Sequence, residues 1–220
     1  MKVLVLSSFT KSLLWFRIDF MDELVEAGHE VIALGSDDDD SYEVEFREHG
    51  IAYRSFTVSR NGLSPLEDLR TYGELRRIIK EISPDKIFVY QAKTIVYGCP
   101  AARGAGVGDV YPMVAGLGSV FRSGGLKNRL IQAVLRVQYK RAFRLSKKVF
   151  FQNEDDIEAF VSMGLLPADK IVRINGSGVS LERFTAEPLP EAAVFLFVGR
   201  LIKDKGIIEY LEACAEIKKR

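Results

Sequence analysis

An alternation of short apolar runs with segments of helical period constrains this chain more than any single motif. The runs are Lys2 to Ser7 (KVLVLS), Glu30 to Leu34 (EVIAL), Ile51 to Val58, Lys86 to Tyr90 (KIFVY), Asp109 to Val114, Val149 to Gln152 and Lys170 to Ile174 (KIVRI). Between the first two, Leu14, Ile18, Met21 and Val25 recur at helical spacing, with Ser12 placed to cap the helix and Gly28 to end it. A second helix is predicted from Ser64-Pro65, with Leu66, Leu69, Leu75, Ile79 and Ile82 inward and a stop before Pro84. Others are predicted from about Thr94 to Gly104, from about Leu126 to Leu145, and from a cap at Asn153. Strands alternating with helices predict βαβ units, hence an α/β fold with a Rossmann-like parallel sheet and helices on both faces.

The end of the chain repeats this grammar once. Leu181 to Ala193 contains Pro188 and Pro190 and reads as a linker, and Val194 to Gly206 (VFLFVGRLIKDKG) then reads as a buried parallel strand, a tight turn and a helix N-terminus. Gly199, Arg200, Lys205 and Gly206 at the mouth of this turn suit a phosphate, because free N–H groups and the helix dipole favour anions there. A solvated βα loop with two cations is the plainer reading. One strand and one helix cannot bury their own faces. The chain is therefore expected to be a fragment of a longer protein, or this unit docks elsewhere. The expected division is a first domain over 1–185, a linker over 186–193, and an incomplete second domain over 194–220.

In the 220 residues, 47% hydrophobic and 28% charged residues are ordinary for a protein with a sizeable core, and the net charge of +1 selects no partner. The distribution is more telling. No carboxylate lies between Asp109 and Glu154. On a helical wheel Arg129, Arg136, Lys140, Arg144 and Lys147 fall in one stripe, with Arg122, Lys127 and Lys148 nearby, which fits an anionic membrane surface or a merely solvated face. Sparse aromatic interleaving argues against nucleic acid. Cys99 and Cys214 have no metal or redox spacing and fit a reducing cytosol. Neither a signal peptide nor a membrane-spanning run is read. The loop after the first strand lacks GxGxxG, which argues against an NAD or FAD enzyme. Asp37 to Asp40 contains a DxD pattern but reads as a solvated turn. No metal cluster and no Ser-His-Asp or Cys-His set can be assembled, so no catalytic residue is assigned.

Several ordered pieces carry a resemblance: Phe16-Arg17, AGHEV at Ala27 to Val31, SPDKIFVY at Ser83 to Tyr90, AGLGSVF at Ala115 to Phe121, QNEDD at Gln152 to Asp156, INGSGVSLERF at Ile174 to Phe184, and VGRLIKDKGIIEYLEA at Val198 to Ala213. Together the sequence resembles the first half of GT-B glycosyltransferases of the retaining family four, particularly the bacterial surface-polysaccharide branch. The resemblance implies an acceptor-binding N-terminal domain and the start of a nucleotide-sugar-binding domain. It implies transfer of a sugar with retention from a nucleotide-diphosphate donor, needing neither metal nor other cofactor. The expected acceptor is lipid-linked or a glycan, and the expected location is cytoplasmic, peripheral on the inner face of the membrane. Arg200 and Lys205 match the family's donor-diphosphate pair.

Acceptor contacts are expected from Arg17, Gln91, Lys93, Gly116 and Gly118, at the carboxyl ends of the strands. The family's paired glutamates would lie beyond residue 220. Ser180 stands where Asp is common, and Gln91 where many relatives have His, so this chain alone is not expected to turn over. A different class remains open on the sequence: a non-catalytic acceptor- or membrane-binding subunit that pairs with a separate donor-binding chain.

Overall fold

The computed structural model describes residues 1–59, 64–116 and 125–219, without the side chains of residues 126, 127 and 204. Met1–Val179 and Ser180–Arg220 form separate compact units. The first holds β1 (Lys2–Leu6), α1 (Thr10–Glu26), β2 (Glu30–Gly35), α2 (Asp40–Glu48), β3 (Ala52–Ser55), α3 (Pro65–Ile82), β4 (Lys86–Tyr90), α4 (Ala92–Gly104), β5 (Asp109–Val114), α5 (Leu126–Leu145), β6 (Val149–Phe151), α6 (Glu154–Ser162) and β7 (Ile171–Arg173). The strands form one parallel sheet in the order β3-β2-β1-β4-β5-β6-β7. Leu4 at its centre pairs with Ile32 on one side and Ile87 on the other.

The period of two along β1 builds both layers. Val3 and Val5 point to one face, where Leu13, Leu14, Ile18 and Met21 of α1 and Phe46 of α2 complete a core. Leu4 and Leu6 point to the other, where α3, α4, α5 and α6 contribute Leu75, Ile79, Cys99, Phe143 and Phe160. Small residues let α4 come close: a Cβ on Gly98 would sit 2.8 Å from the Leu6 side chain. Among the described residues no helix is long and apolar enough to cross a membrane.

Several expectations change. Helix α1 starts at Thr10 with Phe9 in the cap position, so Ser12 is not its cap; its hydroxyl lies inside the helix and donates to Phe9 O at 2.6 Å. The third strand shrinks to Ala52–Ser55. Helix α2 was not expected. Asp39 caps it by accepting from Ser41 N at 2.9 Å, so the acidic run is a helix start and not a simple solvated turn. On α3 the buried stripe runs through Asp68, Thr71, Leu75, Ile78, Ile79 and Ile82. Leu66 and Leu69 lie off that stripe and are largely exposed.

The second unit departs most. Helix α7 (Ile207–Ile217) forms as expected, after a short 3-10 turn at Lys203–Lys205. Val194 to Val198 forms no strand. Phe195 is 72% and Leu196 80% exposed. A strand needs a neighbour for its N–H and C=O groups and a layer for each face, and this unit offers neither.

Candidate functional site

In a sheet of this order the chain winds away from β1 in one direction and from β4 in the other, and the crevice at their carboxyl ends is where ligands of open α/β sheets bind. Two loops meet there, Ser7 to Phe9 after β1 and Gln91 after β4. Gln91 has φ +74° and ψ +144°, a region that side chains other than glycine avoid at a cost of about 1–3 kcal/mol. Its Oε1 accepts from Ser7 Oγ at 3.1 Å, Ser8 N at 3.0 Å and Ser8 Oγ at 2.6 Å, while its Nε2 donates to Ser12 Oγ at 3.2 Å. Tyr90 Oη lies 2.8 Å from Ser12 Oγ, and burial pushes the Tyr90 phenol up from its ordinary pKa.

The neighbouring loop after β2 is joined to the same edge. Asp37 accepts from Thr10 N at 3.2 Å, and Thr10 Oγ1 accepts from the Ser36 and Asp37 amides. The first turn of α1 is therefore already occupied by an internal carboxylate. Helix α4, opening at Ala92, has no side-chain cap.

Arg17 is buried on α1. Its Nη1 donates to Phe16 O and Ser177 Oγ, both at 2.6 Å, and the guanidinium lies 5.0 Å over the Tyr90 ring. Its Nε is buried with no partner, and among the described residues no carboxylate pairs with it. Burial lowers its pKa, yet a guanidinium keeps its proton. A buried cation of this kind favours an anion brought by a ligand. Arg17 also borders an apolar groove of about 450 Å³ between α1 and the sheet, walled by Phe16, Phe20, Phe88, Tyr111 and Phe150.

The other expected acceptor contacts are spread more widely. Lys93 pairs with Asp68 at 3.1 Å, and both side chains are largely buried. Beside them, burial first and then Asp68 push the Tyr97 phenol up to about 12. Gly116 has φ +139° with open space where a Cβ would be. Gly118, and Arg122 of the basic segment, lie outside the described residues.

The basic stripe is real on α5 for Arg129, Arg136, Lys140 and Arg144, all exposed. Lys147 does not belong to it. The helix ends at Leu145, and Lys147 Nζ turns to Asp109 at 2.9 Å. Sequence reasoning missed that exposed Leu130, Val134 and Val137 lie on the same helix, and Leu66 and Leu69 on α3, which contributes to the same sheet face. A concavity of about 530 Å³ lined by Leu69, Tyr97, Val134 and Arg141 connects the two helices. The available signal was the apolar residues Leu130, Val134 and Val137 among the cations; Leu66 and Leu69 were expected to point inward and do not.

Within the second unit, Gly199, Arg200 and Lys205 are exposed. Gly206, with φ +76°, occupies the cap position of α7, which has no side-chain cap. The positive φ is one a side chain would resist.

A seven-stranded parallel sheet whose winding reverses between β1 and β4 makes this a doubly wound, Rossmann-like α/β domain. Residues 19–176 match the glycosyl transferase 4-like domain family, and the chain belongs to it. It is 25% identical over 232 residues to the N,N'-diacetylbacillosaminyl-diphospho-undecaprenol alpha-1,3-N-acetylgalactosaminyltransferase of Campylobacter jejuni, covering 99% of this chain and 61% of that protein. The fold is similar to that of Anabaena HepE in complex with UDP and glucose, with a TM-score of 0.60 and 18% identity over 86% of this chain and 47% of that one. It is also similar to a glycosyltransferase from Rickettsia africae, with a TM-score of 0.57 and 17% identity over 99% of this chain and 49% of that one. The chain thus spans about three-fifths of its curated relative and about half of these solved structures.

Proposed function

We propose that this chain is the acceptor-binding domain and the opening of the donor-binding domain of a retaining glycosyltransferase that acts on a lipid-linked acceptor in bacterial surface-glycan assembly. The family match over residues 19–176 carries the reading, since it takes in Gln91 at the crevice, against which Ser8 is held, and Ser177's neighbour Gly176 beside Arg17. The Campylobacter relative is named for an undecaprenol-linked acceptor, which points to an acceptor of the same kind here. In this reading the buried Arg17 faces an acceptor phosphate. Arg200, Lys205 and the amides after Gly206 neutralise charge growing on the departing nucleotide diphosphate, the work a metal does in other transferases. The acceptor hydroxyl attacks the anomeric carbon from the face the diphosphate leaves.

A cytoplasmic protein meeting a lipid-linked acceptor works at a membrane surface. The exposed Leu66, Leu69, Leu130, Val134 and Val137, edged by Arg129, Arg136, Lys140 and Arg144, suit that contact. Apolar groups enter the interface while each cation contributes about 1 kcal/mol against anionic lipid.

The test is transfer from a panel of nucleotide sugars to a polyprenyl-diphosphate-linked sugar by the protein expressed from its native gene. One donor is expected to extend the acceptor by one sugar, and Arg200→Ala is expected to lower kcat by about a hundredfold. An acceptor left unextended by every donor would overturn the transferase reading, and an Arg200→Ala protein with wild-type kcat would overturn the donor assignment.

A further inference from the structure

We infer that Gln91 is a positioning residue: it does not grip the acceptor but fixes the Ser7–Phe9 loop against which the acceptor lies. This rests on the transferase reading above for its consequence, though not for its geometry. The amide can sit only one way round. The Ser8 amide decides it: its N–H can only donate, and a flipped Gln91 would aim an N–H at it, whereas the Ser7 and Ser8 hydroxyls, free to turn, complete the set of donors to Oε1. The proton order that follows is consistent throughout. Ser12 Oγ donates to Phe9 O at 2.6 Å and has its lone pairs free for Gln91 Nε2 and the Tyr90 hydroxyl. Phe9 N in turn donates to Ser7 Oγ at 3.1 Å.

These hydroxyls are not surface groups. Ser7 is fully buried and Ser12 nearly so, with Tyr90 beneath them. Buried hydroxyls without partners are costly, so the loop is held in the one arrangement that satisfies all of them. The unfavourable backbone of Gln91 fits the same role, because the side chain reaches the loop from a conformation the chain would otherwise leave. From the other side Ser36 Oγ donates to Ser8 O at 2.8 Å, so Ser8 is held by β2 through its carbonyl and by β4 through its amide. The loop at the switch point is thereby fixed before any ligand arrives, which is what spares a binding site the cost of ordering itself.

One amide N–H of Gln91 is left over, so direct contact with the acceptor is the competing account, and a double-mutant cycle separates them. Gln91→Leu is expected to speed hydrogen exchange at the Ser8 amide by about tenfold or more, the sign of local opening. It is expected to raise the acceptor KM by about tenfold with kcat within about twofold, and to add clearly less in a Ser7→Ala/Ser8→Ala background, where only the Ser8 amide still donates to Oε1. Gln91→Glu keeps the acceptor oxygen and is expected to restore Ser8 protection. An undiminished Gln91→Leu effect on KM in the double-alanine background would mean direct contact, and would overturn the proposal. So would unchanged Ser8 exchange in Gln91→Leu. If the wild-type protein transfers no sugar, the transferase reading fails by itself, while the exchange data still decide whether Gln91 holds the loop.

Discussion

The two units of this chain contain nearly the same sequence phrase with opposite fates. Lys2–Leu6 (KVLVL) is a central strand between β2 and β4, with Leu4, Val5 and Leu6 wholly buried. Val194 to Val198 (VFLFV) is as apolar, yet it makes no ladder and stays exposed. What it does make is local: Tyr210 Oη donates to Phe195 O at 2.9 Å, and the Tyr210 ring lies 5.4 Å from that of Phe197. β-propensity describes how well a side chain fits a half-buried pleated surface, and it confers little where no such surface exists. A strand is thus a property of its neighbours as much as of its residues.

The largest test of this contrast compares one phenylalanine from each unit. Phe160 is fully buried and its ring touches those of Tyr139, Phe143 and Phe151 at 5.3–5.8 Å. Phe160→Ala is expected to cost about 3–5 kcal/mol in urea unfolding of the first unit. Phe195→Ala is expected to stay within about 0.5 kcal/mol. A Phe195→Ala cost approaching that of Phe160→Ala would show that the second phrase finds a sheet in solution.

A middle-sized effect is expected where the first unit ties its loops together. A Cβ on Gly35 would collide with Thr10 Oγ1 and lie 2.7 Å from Tyr53 Oη, the groups that join the ends of β1, β2 and β3. Gly35→Ala is expected to cost about 1–3 kcal/mol by thermal unfolding, because the obstacles are held by their own hydrogen bonds and cannot swing clear. By contrast a Cβ on Gly199, in the second unit, would meet the edge of Phe197 at 3.4 Å and Lys205 Cβ at 4.0 Å, ordinary contacts, so Gly199→Ala should leave stability within about 0.5 kcal/mol.

Much of the first unit was legible from period alone. All seven strands of the sheet fall within expected runs, the central ones because a strand buried on both faces must be largely apolar, while the edge strand β3 (AYRS) is only partly buried. Helix α2 was missed because Phe46 is its only fully buried residue, so it shows almost no apolar stripe. The edge site was legible only as positions. Arg17 and Gln91 could be placed at the carboxyl ends of strands by rule. The burial of Arg17 depends on Tyr90, Met113 and Ser177, which are remote in sequence. Lys147 was misplaced because a helical wheel does not stop at the cap, here Ser146.

The smallest effect expected concerns how each unit uses charge. Asp109 at the start of β5 accepts from Lys86 at 2.8 Å and from Lys147 at 2.9 Å, closing the turn after α5 onto the sheet. Hydrogen bonds from Lys86 and then Lys147 hold its carboxyl down at about 2. A carboxyl lowered on folding contributes stability that is fully present above its unfolded pKa, near 4, and is lost as pH falls through about 2. The melting temperature of Asp109→Asn should therefore lie slightly below wild type at neutral pH, and the two curves should converge as pH drops from about 4 to about 2. The counterpart in the second unit is the exposed pair Glu216–Lys219 at 3.7 Å, one helical turn apart. Glu216→Gln is expected to change nothing measurable at any pH, because such pairs are screened and bind no distant parts of the chain together. A constant offset between the Asp109→Asn and wild-type curves down to pH 2 would mean that the lysine contacts work by packing rather than by charge.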